Sequence, residues 1–219
     1  MGTKKNIAVV LSGCGVYDGA EIHESVFTML AIARNGASYQ VFAPDIEQYH
    51  VVNHLTGQPV DEKRNVLVEA ARIARGDIKP LSEYDPGDFD ALMFPGGFGV
   101  AKNFSTFAFD GADCTVNPEI EKVILDTNKA GKPIGALCIS PVIVAKVLDG
   151  AEVTIGTDEG TIEELEKMGA KHRFTTHGEV VIDHKYKVAT TPCYMLDATI
   201  DQIATGAENV VKAVIEMTE

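Results

Sequence analysis

Lys132-Pro133-Ile134-Gly135-Ala136-Leu137-Cys138-Ile139-Ser140-Pro141 reads as a short apolar strand that runs into a cysteine, with a proline three residues later opening a helix. That order puts Cys138 at a strand-to-helix turn, where unpaired N–H groups of the helix start can face its sulfur. Partial positive charge there favours thiolate over thiol, so the segment predicts a pKa below the about 8.5 of a free cysteine. The turn parallels the nucleophile elbow of serine hydrolases, without their G-x-S-x-G pattern. Taken alone, the segment fits a packing cysteine equally well.

The rest of the chain alternates strand and helix. Asn6–Ser12 is an apolar β-rich run ending in Ser12-Gly13-Cys14-Gly15. A helix follows over Glu21–Asn35, with Ile22, Val26, Met29, Leu30 and Ala33 at helical spacing and Gly36 behind it. Tyr39–Ala43 is a second strand and Lys63–Arg75 a second helix, and the Asp85-Pro86-Gly87 turn leads into a strand, Ala91–Phe94, that stops at Pro95-Gly96-Gly97. Pro118–Lys129 is a helix with Ile120, Val123, Ile124 and Thr127 on its inner face, and another runs from about Ser140 to Leu148. Val153–Gly156 is a strand and Thr161–Met168 a short acidic helix. Val180–Asp183 and Tyr186–Thr190 form a hairpin around His184-Lys185, before a closing amphipathic helix carrying Ile200, Ile203, Ala207, Val210, Val211 and Val214.

This alternation predicts a parallel sheet covered by helices on both faces, as one domain over residues 1–219. Ligands of such sheets bind outside the carboxyl ends of the strands, so Ser12–Gly15, Pro95–Gly99 and Cys138–Ser140 point to one rim. With 45% hydrophobic residues among 219, the chain has ample material for a core. No apolar run approaches the roughly 20 residues needed to cross a bilayer, and the start carries no signal-peptide pattern. A cytoplasmic protein is therefore expected. A net charge of −13 argues against nucleic-acid or anionic-membrane partners. Cys14, Cys114, Cys138 and Cys193 form no C-x-x-C pair, so neither structural zinc nor a disulfide framework is expected.

At the rim, the Pro95-Gly96-Gly97-Phe98-Gly99 turn lets backbone N–H groups approach a ligand, because Gly96 and Gly97 carry no Cβ. With the N–H of Ile139, they are candidate donors to an oxyanion formed when Cys138 attacks a carbonyl. The pattern is neither a dinucleotide fingerprint nor a phosphate loop. Glu21 and Glu24 share one face of the first helix, the face that also carries its apolar positions. A carboxyl held there is partly desolvated, and Glu24 becomes a general acid/base beside Cys138. His23 is the histidine best placed to help. Cys14 and Asp158 are further candidates at the rim. His50 and His54 are weak metal candidates for want of a third ligand, so no metal and no cofactor is assigned.

These motifs resemble the PfpI superfamily, which includes the Parkinsonism-associated deglycase and is related to class I glutamine amidotransferases. Leu11–Gly19, Asn53-His54-Leu55-Thr56-Gly57, Pro95–Gly99, Ala136-Leu137-Cys138-Ile139 and Thr190-Thr191-Pro192 are similar to the ElbB branch, described as glyoxalases and linked by name to isoprenoid biosynthesis. The resemblance implies a flavodoxin-like three-layer sandwich and a homodimer. It also implies Cys138 as nucleophile, Glu24 as its carboxyl partner, and Gly97 and Ile139 as oxyanion donors. The chain has Ile139 where protease-like members carry histidine, and Gly156-Thr157-Asp158 where deglycase members supply one. The leading expectation is a cofactor-free glyoxalase acting on a small reactive dicarbonyl. Its rivals are a non-catalytic redox sensor built on Cys138 and an amidotransferase-type hydrolase, which needs a histidine at the thiol.

Overall fold

The computed structural model describes residues 4–219, so the reading of the start at Met1–Thr3 lies outside the described residues. Strand β1 (Asn6–Val10) is followed by helix α1 (Ile22–Arg34), strand β2 (Ser38–Ala43) and a small hairpin of β3 (Val52–Asn53) with β4 (Gln58–Pro59). Helix α2 (Val66–Ile73) leads to β5 (Ile78–Pro80) and β6 (Ala91–Phe94). Short helices α3 (Phe98–Lys102) and α4 (Phe107–Asp110) precede α5 (Pro118–Lys129), β7 (Ile134–Leu137) and α6 (Pro141–Val147). Beyond them come β8 (Glu152–Val153), α7 (Glu159–Lys167), β9 (Lys171–His172), β10 (Val181–Asp183), β11 (Val188–Thr191) and α8 (Ile200–Glu216).

Seven strands form one sheet in the order β10-β11-β7-β6-β1-β2-β5, parallel throughout except where β10 turns back on β11. The central strands are buried on both faces, as their continuous apolar runs require: Ile7 to Val10 and Leu92 to Phe94 are sealed from solvent. Helices α1, α2 and α8 lie together on one face, and α5 and α6 cover the other. This is a flavodoxin-like three-layer sandwich. The chain runs outward from β1 through β2 to β5, then returns to β6 on the opposite side of β1. The strand order thus reverses between β1 and β6, where such folds open a crevice at the carboxyl ends.

Two elements differ from their sequence reading. The strand expected over Val153–Gly156 is only Glu152–Val153 and pairs with Lys171–His172 outside the main sheet. The second difference is the face of α1. Ile22, Val26 and Leu30 stay about 40% exposed, the last two along an open groove with Tyr39 and Ile73, while Glu24, Ser25, Thr28 and Ile32 are buried. Two of the polar residues find partners for their burial: the Ser25 hydroxyl donates to the Glu21 carbonyl at 2.6 Å, and Glu24 accepts from two backbone N–H groups. The Thr28 hydroxyl is buried without one among the described residues. Of the apolar positions counted from sequence, Met29 does face the core, but Ile22, Val26, Leu30 and Ala33 do not. No helix among the described residues is long and apolar enough to cross a membrane.

Candidate active site

Strand β7 ends at Leu137, and Cys138 follows with φ +59°, in the left-handed region that a residue other than glycine adopts only when its surroundings compel it. Those surroundings are specific. The Cys138 N–H donates to the Thr191 carbonyl at 3.0 Å, tying the turn to β11. The Ser140 hydroxyl donates to the Pro95 carbonyl at 2.8 Å, tying it to β6. Pro141 then opens α6, and the thiol is left at the head of this helix with backbone hydrogen bonds from Gly97 and Ile139.

Glu24 reaches the thiol from α1. Its carboxyl is fully buried, hydrogen-bonds Cys138, and accepts the N–H of Gly96 at 2.9 Å and that of Tyr194 at 3.3 Å. Glu21 caps the same helix, accepting the Glu24 N–H at 2.7 Å. Burial first, and the Glu21 charge second, push the Glu24 carboxyl up from 4.5 to about 8. The same burial, with Glu24 beside it, raises the Cys138 thiol well above its usual value, although the N–H groups of Gly97 and Ile139 pull the other way. This corrects the expectation of a depressed thiol pKa: helix-end N–H groups do meet the sulfur, but desolvation and a neighbouring carboxyl outweigh them. At neutral pH the thiol and the Glu24 carboxyl therefore both hold their protons, and they titrate as a coupled pair.

The glycines fix how closely these parts meet. A Cβ on Gly96 would collide with the Cys138 Cβ and stand 2.6 Å from Glu24 Oε2. Gly97 sits at φ +103° with the backbone of Gly19 and Glu21 against its α-carbon. Gly96 thus serves the carboxyl with its N–H, while Gly97 serves the sulfur, a division the sequence reading had not drawn.

A cavity of about 370 Å³ opens over Cys138, Gly97 and Ile139. Asp158 lines it, caps α7 by accepting the Thr161 N–H at 2.9 Å, and is held below its ordinary pKa by hydrogen bonds with Thr161. Cys14 does not line it. It is only partly buried, and the charges that act on its thiol are Glu69, Arg72 and Asp18. His23 does not meet the sulfur either: its Nδ1 lies 2.8 Å from the hydroxyl of Tyr194, and its ring is exposed. Among the described residues no imidazole lines the cavity or hydrogen-bonds Cys138, which argues against the hydrolase reading. His54 instead accepts the Tyr17 N–H at 3.2 Å, fastening the β3–β4 hairpin to the loop after β1.

Tyr194 was missed from sequence. It lines the cavity, its N–H supports Glu24, and its hydroxyl meets exposed His23. The available signal was position: Pro192-Cys193-Tyr194 directly follows β11, the strand beside β7, at the same rim. Cys193 is buried there at φ +43°, its thiol raised by burial and by the charges of Glu24 and Cys138.

A cysteine on a left-handed elbow at the carboxyl edge of a flavodoxin-like sheet, faced by a buried glutamate, defines a thiol protein of the class I amidotransferase-like kind. Its relatives agree. The chain is 49% identical to the human glutamine amidotransferase-like class 1 domain-containing protein 3, mitochondrial, over 97% of this chain and 83% of that protein. It is 47% identical to the rat ES1 protein homolog, mitochondrial, over 98% and 85%. A crystal structure of an isoprenoid biosynthesis protein with amidotransferase-like domain from Ehrlichia chaffeensis superposes with TM-score 0.92 at 35% identity, over 98% of this chain and all of that one. The chain belongs to this glutamine amidotransferase-like class 1, or ES1, family. Glyoxalase III of Candida albicans shares the fold at TM-score 0.63 and 16% identity, over 98% of both chains. No protein-family model matches the chain. The expectation of a cytoplasmic protein is overturned, because the human, rat and zebrafish relatives are all named mitochondrial. Absence of a signal-peptide pattern speaks only to secretion and left that alternative open.

Proposed function

We propose that the protein is a cofactor-independent glyoxalase of the ElbB branch, converting glyoxal or methylglyoxal to glycolate or lactate. The observation that carries the reading is the buried Cys138–Glu24 pair beneath the Gly97 and Ile139 N–H groups. Glu24 takes the thiol proton as sulfur bonds to the aldehyde carbon, and the carbonyl π pair moves to oxygen. The Gly97 and Ile139 N–H groups hold that oxyanion until Glu24 passes the thiol proton to it, which gives the hemithioacetal and leaves Glu24 a carboxylate. Glu24 then removes the C–H proton, giving an enediol, and a proton returns at the neighbouring carbon. The first carbon is thereby oxidised to a thioester and the second reduced to an alcohol. Water releases the 2-hydroxy acid and restores the thiol. We assign the Tyr194 hydroxyl, which lies 2.8 Å from Nδ1 of His23, to hydrogen-bond the second substrate oxygen, with His23 exchanging its proton with solvent.

The fold shared with a glyoxalase supports this reading, and the name of the Ehrlichia relative supports an isoprenoid-biosynthesis setting. Glycolate formed from glyoxal by the purified protein, and lost on Cys138→Ala, is the expected result. Equal turnover by both would remove Cys138 from the mechanism.

A further inference from the structure

The cavity over Cys138 does not match a two- or three-carbon dicarbonyl. Its roughly 370 Å³ is many times the about 30 Å³ that a water occupies in the liquid, and lies in the range of pockets that bury larger organic ligands. The wall is apolar, built by Val16, Phe98, Ala101, Phe107, Ile139 and Met195. The polar side chains in its lining are those of Cys138, Tyr194, Thr161 and Asp158. Among the described residues no lysine or arginine lines it, so nothing there balances a carboxylate, a phosphate or a nucleotide. The nearby cation is already engaged, Lys102 donating to the Tyr17 carbonyl at 3.0 Å with its ammonium 5.3 Å from the centre of the Phe98 ring. The charge present in the wall is negative, on Asp158.

We propose that the site selects uncharged 2-oxoaldehydes bearing a bulky apolar substituent, aryl or branched alkyl, the substituent lying along Phe98, Phe107 and Met195 while the dicarbonyl meets Cys138 and Tyr194. This rests on the glyoxalase reading for its chemistry but on cavity shape and charge for its selectivity. The steps and their balance are those above, so phenylglyoxal gives mandelate with water as the only co-reactant. A small dicarbonyl leaves most of the wall uncovered and gains nothing from it. An aryl group covers it, and even one methylene in a hydrophobic pocket shifts specificity by about 10-fold or more.

The test uses the full chain with glyoxal, methylglyoxal and phenylglyoxal. The expected kcat/KM for phenylglyoxal exceeds that for methylglyoxal by about 10-fold or more, through KM. Ala108→Trp, at an exposed position on the cavity rim, is expected to cut the phenylglyoxal-to-glyoxal ratio by about 10-fold. A second measurement needs no turnover: acetophenone is expected to protect Cys138 from alkylation by iodoacetamide at concentrations where acetone does not. Protection without turnover of any aldehyde overturns the glyoxalase reading and keeps the selectivity. Turnover of methylglyoxal with no preference for phenylglyoxal and no protection overturns the selectivity and keeps the glyoxalase reading.

Discussion

Glu24 and Cys138 ionise as a pair, so the pH dependence belongs to both. Whether the lost proton leaves the thiol or the carboxyl, the state that attacks is the same singly deprotonated pair. With Glu24 pushed up to about 8, kcat/KM for an aldehyde is expected to rise about tenfold per pH unit below 8 and to flatten above it. A profile flat from pH 6 to 9 would sever the rate from this pair. Stability carries the opposite slope. A carboxyl raised from 4.5 to about 8 leaves the folded protein binding more protons than the unfolded chain across that window, so stability falls as pH rises through it, by up to about 5 kcal/mol. Glu24→Gln removes that slope but leaves the Gly96 or Tyr194 N–H poorly matched, a constant cost of about 1–3 kcal/mol. The denaturation curves of the two proteins are expected to cross: wild type more stable at pH 5, the glutamine variant at pH 9. Tyr194→Phe keeps its backbone N–H on Glu24 and removes only the hydroxyl that meets His23 and that we assign to the second substrate oxygen, so turnover should fall about 10-fold or more with the melting temperature little changed. His23→Ala should add nothing further in that background, because its contact with the site runs through the missing hydroxyl. Additive losses would separate the two residues.

At the scale of elements, three strand ends build the site, and two adjacent glycines in one of them make opposite demands. Gly96→Ala meets the Cys138 Cβ, which moves only with the elbow backbone, and the Glu24 carboxylate, which can swing away, so the clash is relieved at an overpacking cost of about 1–3 kcal/mol only by shifting the elbow and breaking the pair. Its expected signature is a fall of about 100-fold in turnover with melting lowered by only a few degrees. Gly97→Ala meets the backbone of Gly19 and Glu21 at φ +103°, and neither can yield. That variant is expected to lose the fold, seen as collapsed soluble yield or a much lower melting temperature. The reverse ranking would mean that the β6–α3 turn is pliant and the thiol end is not. These elements also mark what the sequence made legible. Helix α5 was readable residue by residue, because Ile120, Val123, Ile124 and Thr127 occupy one face against the sheet. The elbow was readable from a strand, a cysteine and a proline in the right order. The buried face of α1 was not, since it follows the hydrogen-bond partners of Ser25 and Glu24, which are set by Glu21, Gly96 and Tyr194. Nor was the thiol pKa, a balance between helix-end N–H groups and desolvation that only the packed site decides.

Across the whole molecule, 32 acidic side chains against 19 basic ones leave a net charge of −13, and one of the acidic side chains, Asp158, lines the cavity itself. Fields from net charge of this kind change encounter rates of charged ligands by about 10- to 1,000-fold, and salt weakens them. The comparison that isolates the field is phenylglyoxal against its 4-carboxylate, which share a reacting group and differ in charge. At about 10 mM salt, where the Debye length is about 30 Å, charge across the molecule repels the carboxylate, and its kcat/KM is expected to be lower by about 10-fold or more. Toward 1 M, where that length falls to about 3 Å, only close groups still act, and the gap is expected to narrow toward the part that Asp158 and desolvation impose. Neutral phenylglyoxal should hardly respond to the same titration. A gap that stays constant with salt would place the whole discrimination inside the cavity wall. A carboxylate preferred at low salt would require a cation at the site that the lining residues do not include.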